Sequence, residues 1–522
     1  MQILINNISM PIKHRPEDVL SAAQEIARHS SVSATNFRIY KQSLDARRKN
    51  NIHYVYSVVA DADRLDREYK NIKPLSLKDD LTVPVKSIGG TRPVVVGMGP
   101  AGLFAAYILA KSGNPPLLID RGGAVDERIR KIVSFWSGGK LDKNTNVQFG
   151  EGGAGTFSDG KLNTGISDPY CRFVLKTFAD FGAPDDILYK AKPHIGTDML
   201  RKVIVNMRNK LIEMGVEIKF NTRLTDLKIY GGKVSEIELN KSESVSCEKL
   251  ILALGHSARD TFKTLWRRGV YIEPKPFASG VRIEHKQSFI NDMQYKNLNL
   301  PLPPADYKLV YNGKDRSCYS FCMCPGGQVV NASSEESRLV VNGMSEHLRD
   351  GKNANSALVV NVSPDDFDDG TPFGGVEFQR KYESLAFKLG GSDYTAPVQL
   401  AKDFVKNTAS SAPSDVIPSF TGKVKYTDLR KCLPDFISKT LTEGLNDFER
   451  RISGFVSCGS VLTGIETRTS SPVRMTRKEN GESVSVGGIY PSGEGAGYAG
   501  GITSAAVDGI RTAMKIINGE QL

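Results

Sequence analysis

Three stretches of this chain repeat the spacing Gly-x-Gly-x-x-Gly, at Gly97/Gly99/Gly102, Gly150/Gly152/Gly155 and Gly495/Gly497/Gly500. Where such a turn opens a helix it brings bare backbone N–H groups up to an anion, because residues without side chains let the main chain approach closely. Glycine makes up 49 of 522 residues, above the usual share of about 7%, and the excess sits in these clusters. The spacing alone is a weak signal, so the flanking residues decide what each cluster does.

The first cluster has the full context. RPVVVG (92–97) reads as a short buried β-branched strand, GMGPAG as the tight turn, and LFAAYILAKSG (103–113) as an apolar helix ended by glycine. A second strand, PPLLID, then delivers Asp120, close to the position where a dinucleotide-binding βαβ unit carries its acid. Gly97 permits the turn, Gly99 admits a diphosphate, and Gly102 lets the helix lie close on the strand. Asp120 is placed to accept from a ribose diol and repels a 2′-phosphate, which disfavours NADP in this slot.

The second cluster, NVQFGEGGAGTFSDGKL (146–162), lacks a following amphipathic helix and is not a second turn of that kind. Gly155 to Lys161 imitates a phosphate loop, but Leu162 stands where Ser or Thr must hold magnesium. The remaining reading is a loop whose backbone passes close to a flat or phosphorylated ligand, with Gly152, Gly153, Gly155 and Thr156 as its contact positions. The third cluster follows the strand SVSVGGIY and opens the last helix. Its Glu494 can accept from sugar or ribityl hydroxyls, beside a positive helix end.

Other reactive side chains are sparse. SCYSFCMCPGG holds Cys318, Cys322 and Cys324; its C-x-C pair is a candidate thiol relay, set against the reading of inert buried cysteine. His285 and His256 are candidate proton donors, and Arg282, Arg468 and Arg474 could clamp a carboxylate or phosphate. No catalytic residue is assigned; His285, Cys322, Cys324 and Arg468 are the candidates. DDFDDG fails the calcium-loop spacing at Phe367, and no metal is expected.

Behind these residues the chain must supply several folding units, since 522 residues exceed a typical domain of about 150 more than threefold. Residues 1–70 read as an α+β (βαββ) module, from strand-like runs at 2–9, 36–43 and 52–60 and a helical pattern over 15–28. Residues 71–92, with Pro74, Pro84, Gly89 and Gly90, read as a linker. Residues 93–265 and 455–522 read as a discontinuous Rossmann-type domain, and 266–454 as an inserted β-rich substrate or cap domain. The strands expected to share one sheet lie near 94–97, 116–119, 216–220 and 250–254, with the final strand–helix pair. Basic residues number 69 against 58 acidic, net +11, which permits acidic ligands without demanding nucleic acid. Seven cysteines without a spaced framework point to a reducing, cytoplasmic compartment. Neither a signal pattern nor a membrane-spanning apolar run is present.

The motifs VVVGMGPAGLFAAYILA, VQFGEGGAGTFSDGKLNTG, LALGHSARDTF, KPFASGVRIEH, CMCPGG, TGIETRTSSPVR and YPSGEGAGYAGGITSAAVDGI, in this order, resemble the FAD-dependent dehydrogenases grouped with the glutathione-reductase-like flavoproteins. The resemblance implies FAD bound in an extended pose. Gly97, Gly99, Pro100, Ala101 and Gly102 would face the diphosphate, and Asp120 the adenosine ribose with Arg121 beside it. Leu224 would hold adenine through backbone contacts, Leu254 and Gly255 would close over the dinucleotide, and Glu494, Gly501 and Ile502 would approach the ribityl chain and ring. Asp120 departs from the Glu common in the wider superfamily, which shortens the reach to the ribose.

The expected function is an FAD-dependent oxidoreductase acting on a small or medium-sized organic substrate. NAD(P)H would visit, if used, without a Rossmann domain of its own. Two further readings are a flavoprotein that modifies or binds RNA, suggested by the basic tip ARRKNN, and a flavin-holding interaction protein without turnover. A small-molecule substrate is the expected partner, with a protein partner through the N-terminal module a further expectation; membrane and nucleic acid are not expected.

Overall fold

Strands Ile489–Pro491, Leu250–Leu252, Val94–Val96, Leu117–Ile119 and Glu217–Lys219 form a five-stranded parallel sheet in that order. They gather the segments expected to share one sheet. In the computed structural model, which describes residues 1–75, 81–296 and 299–519, side chains alternate across this sheet. Val95, Leu118 and Ile251 face a core built with helices Pro100–Lys111, Tyr170–Asp180, Thr197–Glu213 and Ile502–Asn518. Val94, Val96, Leu117, Ile119, Leu250, Leu252 and Ile489 face the opposite core, completed by the antiparallel sheet Leu224–Tyr230, Lys233–Leu239, Glu243–Ser246 and by helix Arg259–Arg267. Covered on both faces, the central strands read as unbroken apolar runs, and each buried aliphatic side chain stabilises by about 1.5–3 kcal/mol.

A second sheet has seven strands in the order Val310–Asn312, Ser317–Cys324, Asn353–Val362, Phe277–Lys286, Val461–Glu466, Ala396–Leu400 and Val424–Tyr426. Ile437, Leu441, Leu445 and Phe448 of helix Asp435–Arg451 pack into its core. The expected boundary at 454/455 is corrected here. Val461–Glu466 hydrogen-bonds between Phe277–Lys286 and Ala396–Leu400, so it belongs to this sheet rather than to the parallel one.

The N-terminal module is a four-stranded sheet, order Ala34–Asp45, His53–Ala62, Gln2–Met10, Ile72–Leu75, with helix Pro16–His29 contributing to its core. Its fourth strand falls in the stretch expected to be linker, because Ile5 and Ile3 pair with Ile72 and Pro74 and bury Ile72. Residues 76–80 of that linker lie outside the described residues. The module docks onto the rest of the chain: Gln42 N donates to Tyr189 O (2.7 Å), Ala191 N donates to Gln42 O (2.9 Å), and Lys49 Nζ donates to Gln294 O. Among the described residues, no helix is long and apolar enough to cross a membrane.

Candidate functional site

A cavity of about 920 Å³ opens where the parallel strands end. Val96 ends one of these strands; Asp120, Ala253 and Ser492 each stand just beyond the end of another, and all four line the cavity. This is the face on which open α/β sheets take ligands. Its volume lies in the range of about 300–1,000 Å³ common to small-molecule sites.

The first glycine cluster forms its floor. Gly99 caps the helix Pro100–Lys111 in an extended conformation, with Pro100 at the first helical position, where a missing N–H costs nothing. Gly97, Gly99, Pro100 and Ala101 line the cavity. Gly102 does not. A Cβ there would lie 1.8 Å from the Gly97 carbonyl oxygen, so this glycine serves helix-on-strand packing. Gly97, at φ +105°, turns the chain against the Ala253 carbonyl, a conformation that glycine adopts without strain.

Asp120 is buried at the cavity edge and holds the turn in place. One carboxylate oxygen accepts from Met98 N and the other from Gly122 N, both at 2.8 Å. Burial raises its pKa, against the pull of these two N–H groups. Each oxygen retains a lone pair for a ligand hydroxyl. Arg121 lines the cavity as well, lying over the Phe149 ring at 4.4 Å and pairing with Asp260. Leu224, Leu254 and Gly255 complete this end of the lining.

The second glycine loop wraps around a residue that the sequence reading missed. Arg128, fully buried on helix Val125–Trp136, donates from Nε to Asn146 O (2.8 Å), from Nη1 to Glu151 O (2.7 Å) and Gly153 O (2.8 Å), and from Nη2 to Val147 O (2.8 Å). Burial brings its pKa down to about 9. Gly153 and Gly155 line the cavity, whereas Gly152 and Thr156 do not. Thr156 is buried behind the loop, and a Cβ on Gly152 would strike its hydroxyl, so the expected contact of these two with a ligand is corrected to a packing role. Nothing in DERIRK marks Arg128 as different from its surface neighbours.

The third cluster closes the opposite side with Glu494, Gly501 and Ile502. Asp508, nearly two turns into helix Ile502–Asn518, accepts from Gly493 N (2.7 Å) and pairs with Arg477, which fixes the turn that carries Glu494. Burial pushes the Glu494 carboxyl up to about 7, against the pull of Lys275.

Beyond the glycine loops the cavity continues under the seven-stranded sheet, where Tyr307, Phe321, Cys322, Met323 and Glu466 line it together with Asp159, Lys161 and Arg349. Asp159 is buried and pairs with Arg349, and Lys161 Nζ donates to Met323 O and lies 3.8 Å from Asp159. Fully buried Arg282 spans the sheet behind them. It donates to Glu466 (2.8 Å), Asn355 Oδ1 (2.8 Å) and Cys322 O (2.6 Å). Burial raises the Glu466 carboxyl even so. Of the catalytic candidates, Cys322 and Arg468 reach the cavity and Cys324 sits behind Cys322. Arg468 is engaged with Glu383 (2.8 Å), in a buried cluster with Arg259 and Glu335.

His285 is corrected as a proton donor to this cavity. It points into the apolar core, where its Nε2 bonds Phe455 O at 2.7 Å and its ring stacks on Phe289, and burial brings its pKa down to about 4. His256 lines the cavity, and burial first, then Arg468 and Arg259, bring it down to about 3. Lys161, Asp159, Arg349 and Glu466 carried no assigned role in the sequence, because their meeting depends on strands far apart in the chain.

Residues 276–469 match the family model described as "FAD-dependent protein, C-terminal domain-like", and residues 1–61 match a domain of unknown function. An uncharacterised protein of Clostridium beijerinckii is 48% identical over 530 residues, covering 99% of each chain. Among solved structures, the flavin-dependent brominase Bmp2 is similar over 82% of this chain and 80% of its own, at 13% identity and TM-score 0.37. A glycine oxidase from Bacillus cereus is similar over 83% and 98%, at 10% identity and TM-score 0.34. The chain belongs to one family with the Clostridium beijerinckii protein.

Proposed function

We propose that the chain is an FAD-dependent oxidoreductase that exchanges a hydride or an electron pair with a small to medium-sized organic substrate. The observation that carries this reading is the continuity of one cavity from the glycine turn after Val96 to the polar pocket under the seven-stranded sheet.

The residues suit an extended dinucleotide. A Cβ on Gly255, Gly500 or Gly501 would meet no atom within 4 Å, and one on Gly99 would meet only the Gly153 Cα at 3.8 Å, so bare backbone borders open space on both sides. Gly97, Gly99, Pro100 and Ala101 would hold the diphosphate at the positive helix end. Asp120 would accept from the ribose, Leu224 would border adenine, and Glu494, Gly501 and Ile502 would border the ribityl chain and ring. Bound flavin supplies the electron transfer.

The chain's own part is to bind, orient and keep water out. Lys161 and Arg349 set positive charge beside the substrate pocket, partly offset by Asp159. Arg282 stays protonated against Glu466 and fixes the Cys322 carbonyl, which shapes the pocket wall. NAD(P)H is a candidate transient donor in this reading.

Purified protein should be yellow, release FAD on denaturation, and bleach under anaerobic reductant. Stopped-flow screening of organic substrates should find a class that reduces or reoxidises the flavin. Colourless protein after refolding with excess FAD would overturn the reading.

A further inference from the structure

Cys322 and Cys324 meet where no regular strand would bring them. In an extended strand, residues two apart are about 6.6 Å apart along the chain, near the upper end of the roughly 4.4–6.8 Å that a disulfide spans between Cα atoms. Here the pairing with Asn353–Val362 shifts register between Phe321 and Cys324, and Cys322 stands at φ +44°. The chain curls at this point, and the Cys324 thiol donates to the Cys322 carbonyl oxygen (3.3 Å).

Their surroundings differ. Cys322 is partly exposed and lines the cavity, whereas Cys324 is buried behind it, its Sγ 3.3 Å from Cys322 O and 3.8 Å from Arg282 Nη2. The charged groups facing Cys322 are the cations Lys161 and Arg282 and the carboxylates Asp159, Glu466 and Glu494. We propose that Cys322 and Cys324 are a dithiol–disulfide couple, with Cys322 the attacking thiol and Cys324 the resolving one, acting on a small organic disulfide admitted by the cavity.

The exchange balances without any other reactant. The Cys322 thiolate attacks one sulfur of the disulfide, forms a mixed disulfide and expels the first thiolate. Cys324 then attacks the Cys322 sulfur, gives its proton to the leaving group and expels the second thiol. Two protein thiols are oxidised to one disulfide while the small disulfide is reduced to two thiols. The neighbouring Cys324 thiol, followed by Lys161 and Arg282, lowers the Cys322 pKa against burial, which favours the thiolate needed for attack.

The couple stands on thiol geometry and does not depend on the FAD reading. Flavin content is read separately from the visible spectrum, so the two can fail independently. The full-length reduced protein is treated anaerobically with oxidised glutathione, digested with trypsin and weighed. The expected product is an internal Cys322–Cys324 disulfide in the peptide Ser317–Arg338, two hydrogens lighter than the reduced form and restored by dithiothreitol. Cys324→Ser should instead accumulate a glutathione adduct at Cys322, and Cys322→Ser should show neither product. Alkylation of Cys322 should have a pH midpoint at least about one unit below the ordinary thiol value of about 8.5. Free thiols at both positions after treatment, a bridge to Cys318, or an ordinary alkylation midpoint would overturn the proposal.

Discussion

The glycine at position 153 faces the one at position 99 across the cavity floor, so closely that a Cβ built on Gly153 would lie 2.9 Å from the Gly99 Cα. The reverse is not true. Gly99 has ordinary extended backbone and its Cβ would find contact at 3.8 Å. The protein itself constrains Gly153, whereas a constraint on Gly99 comes from the diphosphate under the proposed function.

Gly99→Val should fold with an unfolding temperature close to the parent and lose flavin affinity by more than about tenfold, or roughly 1.4 kcal/mol. Gly153→Ala, forced to φ +66°, should lower stability by about 1–3 kcal/mol. Thermal scans of apo protein and flavin titration distinguish the two; flavin retained by Gly99→Val would contradict the assigned pose.

Glu494 carries a pH signature. Its carboxyl is pushed up to about 7 by burial, so it is protonated below that pH and becomes a charged acceptor above it. Under the proposed function, FAD affinity should rise by about tenfold as pH climbs through 7, because a hydrogen bond to a charged group is the stronger one. Glu494→Gln should remove the step. Equilibrium titration from about pH 6 to about pH 8 tests it.

In the buried cluster around Glu383 the carboxyl is shifted the other way. Burial works to raise this carboxyl, yet Arg259 and Arg468 hold it far below the ordinary value of 4.5. The unfolded chain takes up protons first as pH falls, so the stabilisation is complete above about pH 4.5 and is lost below it. Glu383→Gln should cost about 3 kcal/mol at neutral pH, and the gap from the parent should narrow as pH falls below about 4.5. Denaturant unfolding across that range measures it.

Arg128→Lys should not be conservative. Lysine cannot reproduce a planar fork that serves four carbonyls of the second glycine loop. A loss of about 2–4 kcal/mol is expected from carbonyls left buried without partners. A melting temperature unchanged from the parent would show that the loop is held by other contacts.

The parallel sheet was legible because its strands are short apolar runs that end in chemically marked turns, such as Val94–Val96 before Gly97 and Leu117–Ile119 before Asp120. Val461–Glu466 is buried along its whole length, yet its pattern carries no information about which sheet receives it; only its hydrogen bonds to Phe277–Lys286 and Ala396–Leu400 decide. The backbone-lined end of the cavity was foreseen through its glycines. Its polar end was not, since Lys161, Arg349 and Glu466 lie hundreds of positions apart and each resembles a surface charge until the fold joins them. His285 looked reactive in GVRIEH, yet strand alternation turns it inward while Glu284 takes the other face.

The seam at Gln42 ties the first strands of the chain to the wall of the cavity. Tyr189 O and Ala191 N are satisfied by that one residue, and Lys49 holds the carbonyl of Gln294, which lines the cavity together with Lys192. A shortened protein begun after the module would leave these backbone groups without their partners beside the cavity wall, so the amino-terminal residues help to hold that wall in place.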